Sequence, residues 1–113
     1  MRELSIDGFN LTIEDVIDAS RSDVTVTLSE VAMGRMVKSR AVVEDIVEGD
    51  EVVYGINTGF GALSSVTINS EDLRSLQENL IRSHACGVGE NMEYEHVRMM
   101  MLIRANTLCR GQS

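Results

Sequence analysis

Apolar and polar residues alternate at the start of the chain, where Leu4 and Ile6 interleave with Glu3, Ser5 and Asp7 before an Asp7-Gly8 turn. Residues 2–7 therefore read as a short strand. Thr12-Ile13-Glu14-Asp15 then has the form of a capping box, and Leu11 can staple onto Val16, which predicts a helix from Thr12 to about Ser20. Val24-Thr25-Val26-Thr27 is β-branched throughout and predicts a second extended segment, after which Ser29 caps a further helix. Along that helix Met33, Met36, Val37, Val43 and Val47 recur at helical spacings, with Arg35, Lys38, Glu44, Asp45 and Glu48 mostly elsewhere, until Gly49. This is the pattern of a scaffold helix laid on a core, with no ligand role for its methionines.

Val52-Val53-Tyr54-Gly55-Ile56 predicts a brief third extended stretch. It leads into a glycine-rich loop, since Gly55, Gly59 and Gly61 fall within Tyr54–Gly61. Such a loop either moves or lets its backbone approach something closely. Asn69 or Ser70 caps a third helix with a Leu73, Leu76, Leu80 stripe, ending in Ser83-His84-Ala85-Cys86-Gly87-Val88-Gly89. Asn91 opens a fourth helix reaching about Cys109. Its Met99-Met100-Met101-Leu102-Ile103 run is apolar on every face, so it is expected to be surrounded by protein, either the rest of a larger molecule or neighbours in an oligomer.

Composition sharpens this pattern. With no proline, no tryptophan, four other aromatics and seven methionines, the 113 residues favour helices over a β-sandwich. The formal charge is −8, carried mostly by residues 1–53 with five basic and twelve acidic side chains, against five and six in 54–113. That balance argues against nucleic acid or an anionic membrane surface as a partner, but leaves the second half open to an anionic small molecule. No apolar run is long enough to span a bilayer, the acidic start is unlike a signal peptide, and Cys86 and Cys109 cannot form a disulfide framework. A cytoplasmic protein with free thiols is expected. Cys86, Cys109, His84 and His96 match no zinc spacing, so no metal is expected.

Several segments carry candidate chemistry. Gly59-Phe60-Gly61-Ala62-Leu63-Ser64 resembles a dinucleotide fingerprint but lacks the last small residue and a following helix, and no Gly-Lys-Ser or Gly-Lys-Thr is present. His84 and Cys86 stand two apart with no third orienting group, which argues against a nucleophile pair. His84 alone suits either a helix-end histidine or a ligand. Tyr54 suits either core packing or acid–base work beside the glycine-rich loop.

Three blocks in order break this tie. Tyr54-Gly55-Ile56-Asn57-Thr58-Gly59-Phe60-Gly61, the stretch Leu76–Gly89, and Arg104-Ala105-Asn106-Thr107-Leu108-Cys109-Arg110-Gly111-Gln112-Ser113 resemble the aromatic amino acid ammonia-lyase family, as does the opening Leu4–Leu11. The resemblance covers most of the chain. It implies a mainly α fold, the helical N-terminal portion of the ammonia-lyase (L-aspartase-like) architecture, with two or three short strands. It also implies elimination of ammonia by a methylidene-imidazolone electrophile, made autocatalytically from an internal Ala-Ser-Gly and requiring no metal.

By the same resemblance Tyr54 is the loop tyrosine that takes the β-proton, with the surrounding glycines letting a lid close. Ser83-His84 falls at the substrate-selecting pair, and Ser-His is the pattern of the histidine-specific branch, whose L-histidine gives urocanate and ammonia. His84 can hydrogen-bond an imidazole where an apolar pair cannot. Asn57, Phe60 and Gly61 are expected to line the pocket. Family members are homotetramers. No Ala-Ser-Gly occurs in the 113 residues, and Ala85-Cys86-Gly87, though similar in form, lies inside the Ser-His block and is excluded as the electrophile. Residues 1–113 are therefore expected to be an N-terminal portion that stops before the electrophile and is inactive alone. Alternatives are a phenylalanine or tyrosine ammonia-lyase, an aminomutase, or a non-catalytic helical oligomerisation module.

Overall fold

The computed structural model describes residues 2–113. The order of elements is β1 (Arg2–Ile6), α1 (Ile13–Arg21), β2 (Val24–Leu28), α2 (Glu30–Glu48), a single 3-10 turn at Gly61–Leu63, α3 (Ser70–His84) and α4 (Tyr94–Leu108). Four α-helices of 9, 19, 15 and 15 residues outweigh two five-residue strands, so the mainly α expectation holds. No helix among the described residues is long and apolar enough to cross a membrane. Two compact units result: Met1–Arg40 with Glu90–Ser113, and Ala41–Gly89.

In the first unit β1 and β2 pair in parallel, from Arg2 opposite Val24 to Ile6 opposite Leu28. Parallel neighbours need a crossover, and α1 provides it. Its start is the capping box read from the sequence: Asp15 N–H donates to Thr12 Oγ1 at 3.1 Å, and Thr12 N–H donates back to Asp15 Oδ2 at 3.2 Å. α1 packs on α4, where Arg98 Nε donates to the Ala19 carbonyl at 3.1 Å and Arg21 pairs with Glu95 at 3.0 Å. Ile6, Ala19, Val24, Ala32, Leu102 and Cys109 form the buried core, with Leu4, Leu11, Val16 and Ala105 packed against it.

The turn after β1 is fastened to the end of α4. Asp7 Oδ1 accepts from Phe9 and Asn10 N–H at 2.8 and 3.0 Å, which sets the turn, and Gly8 takes a φ of +92°. Gly8 N–H donates to Asn106 Oδ1 at 3.0 Å, while Arg110 Nε donates to the Gly8 carbonyl at 2.8 Å. Two guanidinium groups lie over the Phe9 ring, Arg35 at 4.9 Å and Arg110 at 4.6 Å from its centroid, and Arg35 also donates to the Asp7 carbonyl. Thus the opening segment and the final block, which resemble the family separately in sequence, form one structural feature.

Three expectations need correction. α2 runs as read, and Met36, Val43 and Val47 of its expected face are half-buried, but Ala32 is 0% exposed whereas Met33 and Val37 are 46% and 64% exposed, so the face is shifted at its first turns. The small Ala32 and the hydrogen-bonding Arg35 allow close backbone approach, so much so that a Cβ on Gly111 would lie 2.7 Å from the Arg35 carbonyl oxygen. Second, α4 begins at Tyr94, later than Asn91, with Val97 N–H bonded to the Glu93 carbonyl and no side-chain cap. Within its apolar run Leu102 is buried, while Met100, Met101 and Ile103 remain exposed.

The third correction concerns Val52–Ile56, which is a turn and not a strand. Ile56 and Asn57 N–H both donate to the Val53 carbonyl, at 3.1 and 3.3 Å, and Gly55 has a φ of +78°. The β-branched residues of that stretch lack a neighbouring strand, so local hydrogen bonds decide its path. In this second unit an antiparallel bridge joins Thr58 to Thr67, and α3 follows with Leu73, Leu76 and Leu80 half-buried.

Candidate active site

The loop bearing Tyr54 is held from within by short polar side chains. Asn57 is 5% exposed; its Oδ1 accepts from Val53 N–H at 2.8 Å and its Nδ2 donates to the Glu51 carbonyl at 2.7 Å. Thr58 is 0% exposed; its Oγ1 accepts from Gly55 N–H at 3.1 Å and donates to the Gly59 carbonyl at 2.9 Å. Buried polar groups are tolerated here because each has a partner. Gly59 N–H to the Val66 carbonyl at 3.2 Å and Ile68 N–H to the Asn57 carbonyl at 2.8 Å close the base. Gly59 must be glycine, since a Cβ would sit 2.6 Å from Leu63 Cβ.

On this frame Tyr54 projects outward, 61% exposed, with its ring edge-on to Phe60 at 5.8 Å and 82°. Gly61 lies beside them at a φ of +57°, with open space around its Cα. The loop therefore divides its labour. Asn57 and Thr58 are interior ties, and Tyr54, Phe60 and Gly61 form an accessible aromatic corner.

Ser83 and His84 occupy the last turn of α3, where carbonyls lack intrahelical partners. Ser83 Oγ donates to the Leu80 carbonyl at 2.8 Å, and His84 Nδ1 lies 2.8 Å from the same oxygen and 3.1 Å from Ser83 Oγ. Both side chains are exposed. Cys86 N–H donates to the His84 carbonyl at 2.9 Å and its thiol to the Ser83 carbonyl at 3.4 Å, so Ala85-Cys86-Gly87 serves as the exit from the helix. No hydrogen bond or ring contact among the described residues joins the Tyr54 corner to the α3 end.

Two contributors escape a reading by residue type. Thr58 is one, although a Thr between Asn and Gly is a turn-forming context that points to it. The Leu80 carbonyl is the other, and as a backbone group it leaves no sequence signal beyond lying four residues before a histidine at a helix end.

Comparison with known proteins fits this arrangement. The histidine ammonia-lyase of Caldanaerobacter subterraneus subsp. tengcongensis is 52% identical over 113 residues, covering 100% of this chain and 22% of that protein. Among solved structures, the histidine ammonia-lyase of Trypanosoma cruzi superposes with a TM-score of 0.87 at 41% identity, over 98% of this chain and 21% of the other. The ergothioneine-degrading enzyme ergothionase of Treponema denticola gives a TM-score of 0.90 at 29% identity, over 96% of this chain and 22% of the other. The chain thus spans about a fifth of the length of the curated relatives it matches. The aromatic amino acid lyase family matches residues 11–113, which takes in the Tyr54 loop, the Ser83-His84 pair and the closing block together. This chain belongs to the aromatic amino acid lyase family.

Proposed function

We propose that residues 1–113 are the N-terminal portion of a histidine ammonia-lyase, contributing a proton-transfer residue and a substrate-selecting pair to the conversion of L-histidine into urocanate and ammonia. The observation that carries this reading is the Ser83-His84 pair at the end of α3, with the imidazole exposed and fastened through Nδ1. In the elimination a β-proton and the α-amino group leave and a carbon–carbon double bond forms. Tyr54, as its phenolate, takes the β-proton and becomes the neutral phenol, and His84 holds the substrate ring. Phe60 flanks the Tyr54 ring, Gly61 gives the loop freedom to close and exclude water, and Asn57 keeps the loop in shape.

Methylidene-imidazolone, when present, supplies the electrophile that activates the departing amino group. No Ala-Ser-Gly occurs in these 113 residues, so the residues here do not form it, and the isolated chain is expected to make no urocanate. A homotetrameric assembly and a cytoplasmic setting in histidine breakdown belong to the same proposal. They are supported by the exposed Met100, Met101 and Ile103 of α4 and by the two free thiols.

A hybrid enzyme tests the reading. Residues 1–113 replace the matching segment of the Caldanaerobacter subterraneus enzyme, with which they are 52% identical. The hybrid is expected to release urocanate from histidine, followed by ultraviolet absorbance, and to leave phenylalanine and tyrosine largely untouched. A folded hybrid that prefers phenylalanine or tyrosine would overturn it in favour of the other lyases of the family.

A further inference from the structure

The geometry points to a fixed tautomer of His84, set by the main-chain carbonyl of Leu80 and steadied by Ser83, that turns the outer ring nitrogen into a hydrogen-bond acceptor and selects substrates whose ring carries an N–H or O–H. This deepens the proposed function and rests on it for the substrate, though not for the tautomer.

The proton assignment follows from counting donors. A carbonyl oxygen only accepts, and Leu80 O lies 2.8 Å from His84 Nδ1. If Nδ1 were bare, two lone pairs would face each other at that distance. Ser83 does not relieve this, because a hydroxyl turned toward Nδ1 still leaves the Leu80 oxygen facing that nitrogen at 2.8 Å. With the proton on Nδ1 every contact is satisfied: Nδ1–H donates to Leu80 O and, at 3.1 Å, toward a lone pair of Ser83 Oγ. Neutral histidine has one donor and one acceptor nitrogen, so Nε2 is left as the acceptor.

An acceptor held in place has a definite selectivity. An imidazole N–H meets it, as does a phenol O–H, whereas a phenyl ring leaves it unsatisfied on losing water. Ser83 then acts through His84 and touches no substrate; it is a positioning residue.

The tautomer is read directly in the 113-residue chain labelled with 15N in its imidazoles, using long-range proton–nitrogen spectra at a pH where the rings are neutral. His84 is expected to show a protonated Nδ1 and a bare Nε2, and in concentrated urea to move to the averaged pattern of free histidine. A folded chain with Nε2 protonated, or with a ring unchanged by urea, overturns the assignment. Ser83→Ala is expected to shift the His84 nitrogens part of the way toward the urea pattern while leaving His96 and the backbone amides in place; no shift removes Ser83 from the device. In the hybrid enzyme, one of the two ring-methylated histidines is expected to lose kcat/KM roughly tenfold to a hundredfold. Equal turnover of both with histidine overturns the donor requirement. A hybrid inactive toward every amino acid counts against the proposed function and leaves the spectra to decide the tautomer.

Discussion

At the scale of single residues the loop separates an exposed aromatic corner, Tyr54 with Phe60, from the internal ties of Asn57 and Thr58. Tyr54 makes a ring contact with Phe60 that a phenylalanine would keep, so Tyr54→Phe removes the phenol without disturbing the corner. In the hybrid enzyme this change is expected to lower kcat by roughly 10²–10⁴-fold with an unchanged unfolding curve, since it deletes the proposed proton-transfer group. Near-normal turnover would rule out the role. Asn57→Ala should do the reverse at the level of stability. It strands Val53 N–H and the Glu51 carbonyl, at a cost of about 1–3 kcal/mol by urea denaturation of the second unit. The sequence singles out Tyr54, Ser83 and His84 because their side chains match a family pattern. It ranked Asn57 with the pocket-lining residues, yet both ends of that amide are used internally. Residue type does not disclose which way a side chain points. A thiol count offers a further check: exposed Cys86 should react at once with a disulfide reagent, and Cys109, 0% exposed and with its pKa pushed up by burial, only on unfolding.

At the scale of elements, capping and periodicity were readable where interactions are local. The Thr12 box is present as spelled. The backbone N–H of Thr12, then its side chain and then Arg2, lower the pKa of Asp15. A carboxylate with a lowered folded pKa stabilises the fold above its ordinary value, about 3.9, and loses that contribution as the pH falls through the lowered one. Acid unfolding below about pH 4 should therefore begin at a higher pH in Thr12→Ala, which also costs about 1 kcal/mol at neutral pH. The face of α2 was readable at Met36, Val43 and Val47, which are half-buried, but not in its first turns, where packing follows the clearance that Ala32 leaves and not hydrophobicity. Glycines make the same point experimentally. Gly8→Ala would set a Cβ 2.9 Å from Arg110 Cγ and 3.0 Å from its backbone nitrogen at a φ of +92°, and should destabilise by about 2 kcal/mol or more. Gly34→Ala meets nothing within 4 Å in the interior of α2 and should stabilise by about 0.5–1 kcal/mol. Thermal melts of the two variants read the opposite signs.

At the scale of the whole molecule, the first unit is assembled from Met1–Arg40 and Glu90–Ser113, with Ala41–Gly89 between them in sequence. That discontinuity was invisible to a reading that moved along the chain, since nothing local marks Gly8 and Asn106 as partners. The apolar character of α4 was legible, and its exposed Met100, Met101 and Ile103 bear out a helix with more apolar surface than these residues cover. The clasp from Asp7–Phe9 to Asn106 and Arg110 also has a bearing on biosynthesis. Its hydrogen bonds span 98 and 102 positions, so a nascent chain emerging from the ribosome can form β1, α1 and β2 early, yet must leave Phe9 without its Arg110 contact until α4 has been made. The Tyr54 loop and α3 leave the ribosome inside that interval, and latching of the first unit is therefore a late event. A ribosome stalled before Asn106 has left the tunnel should hold a protease-sensitive N-terminus, and one stalled well beyond Arg110 a protected one.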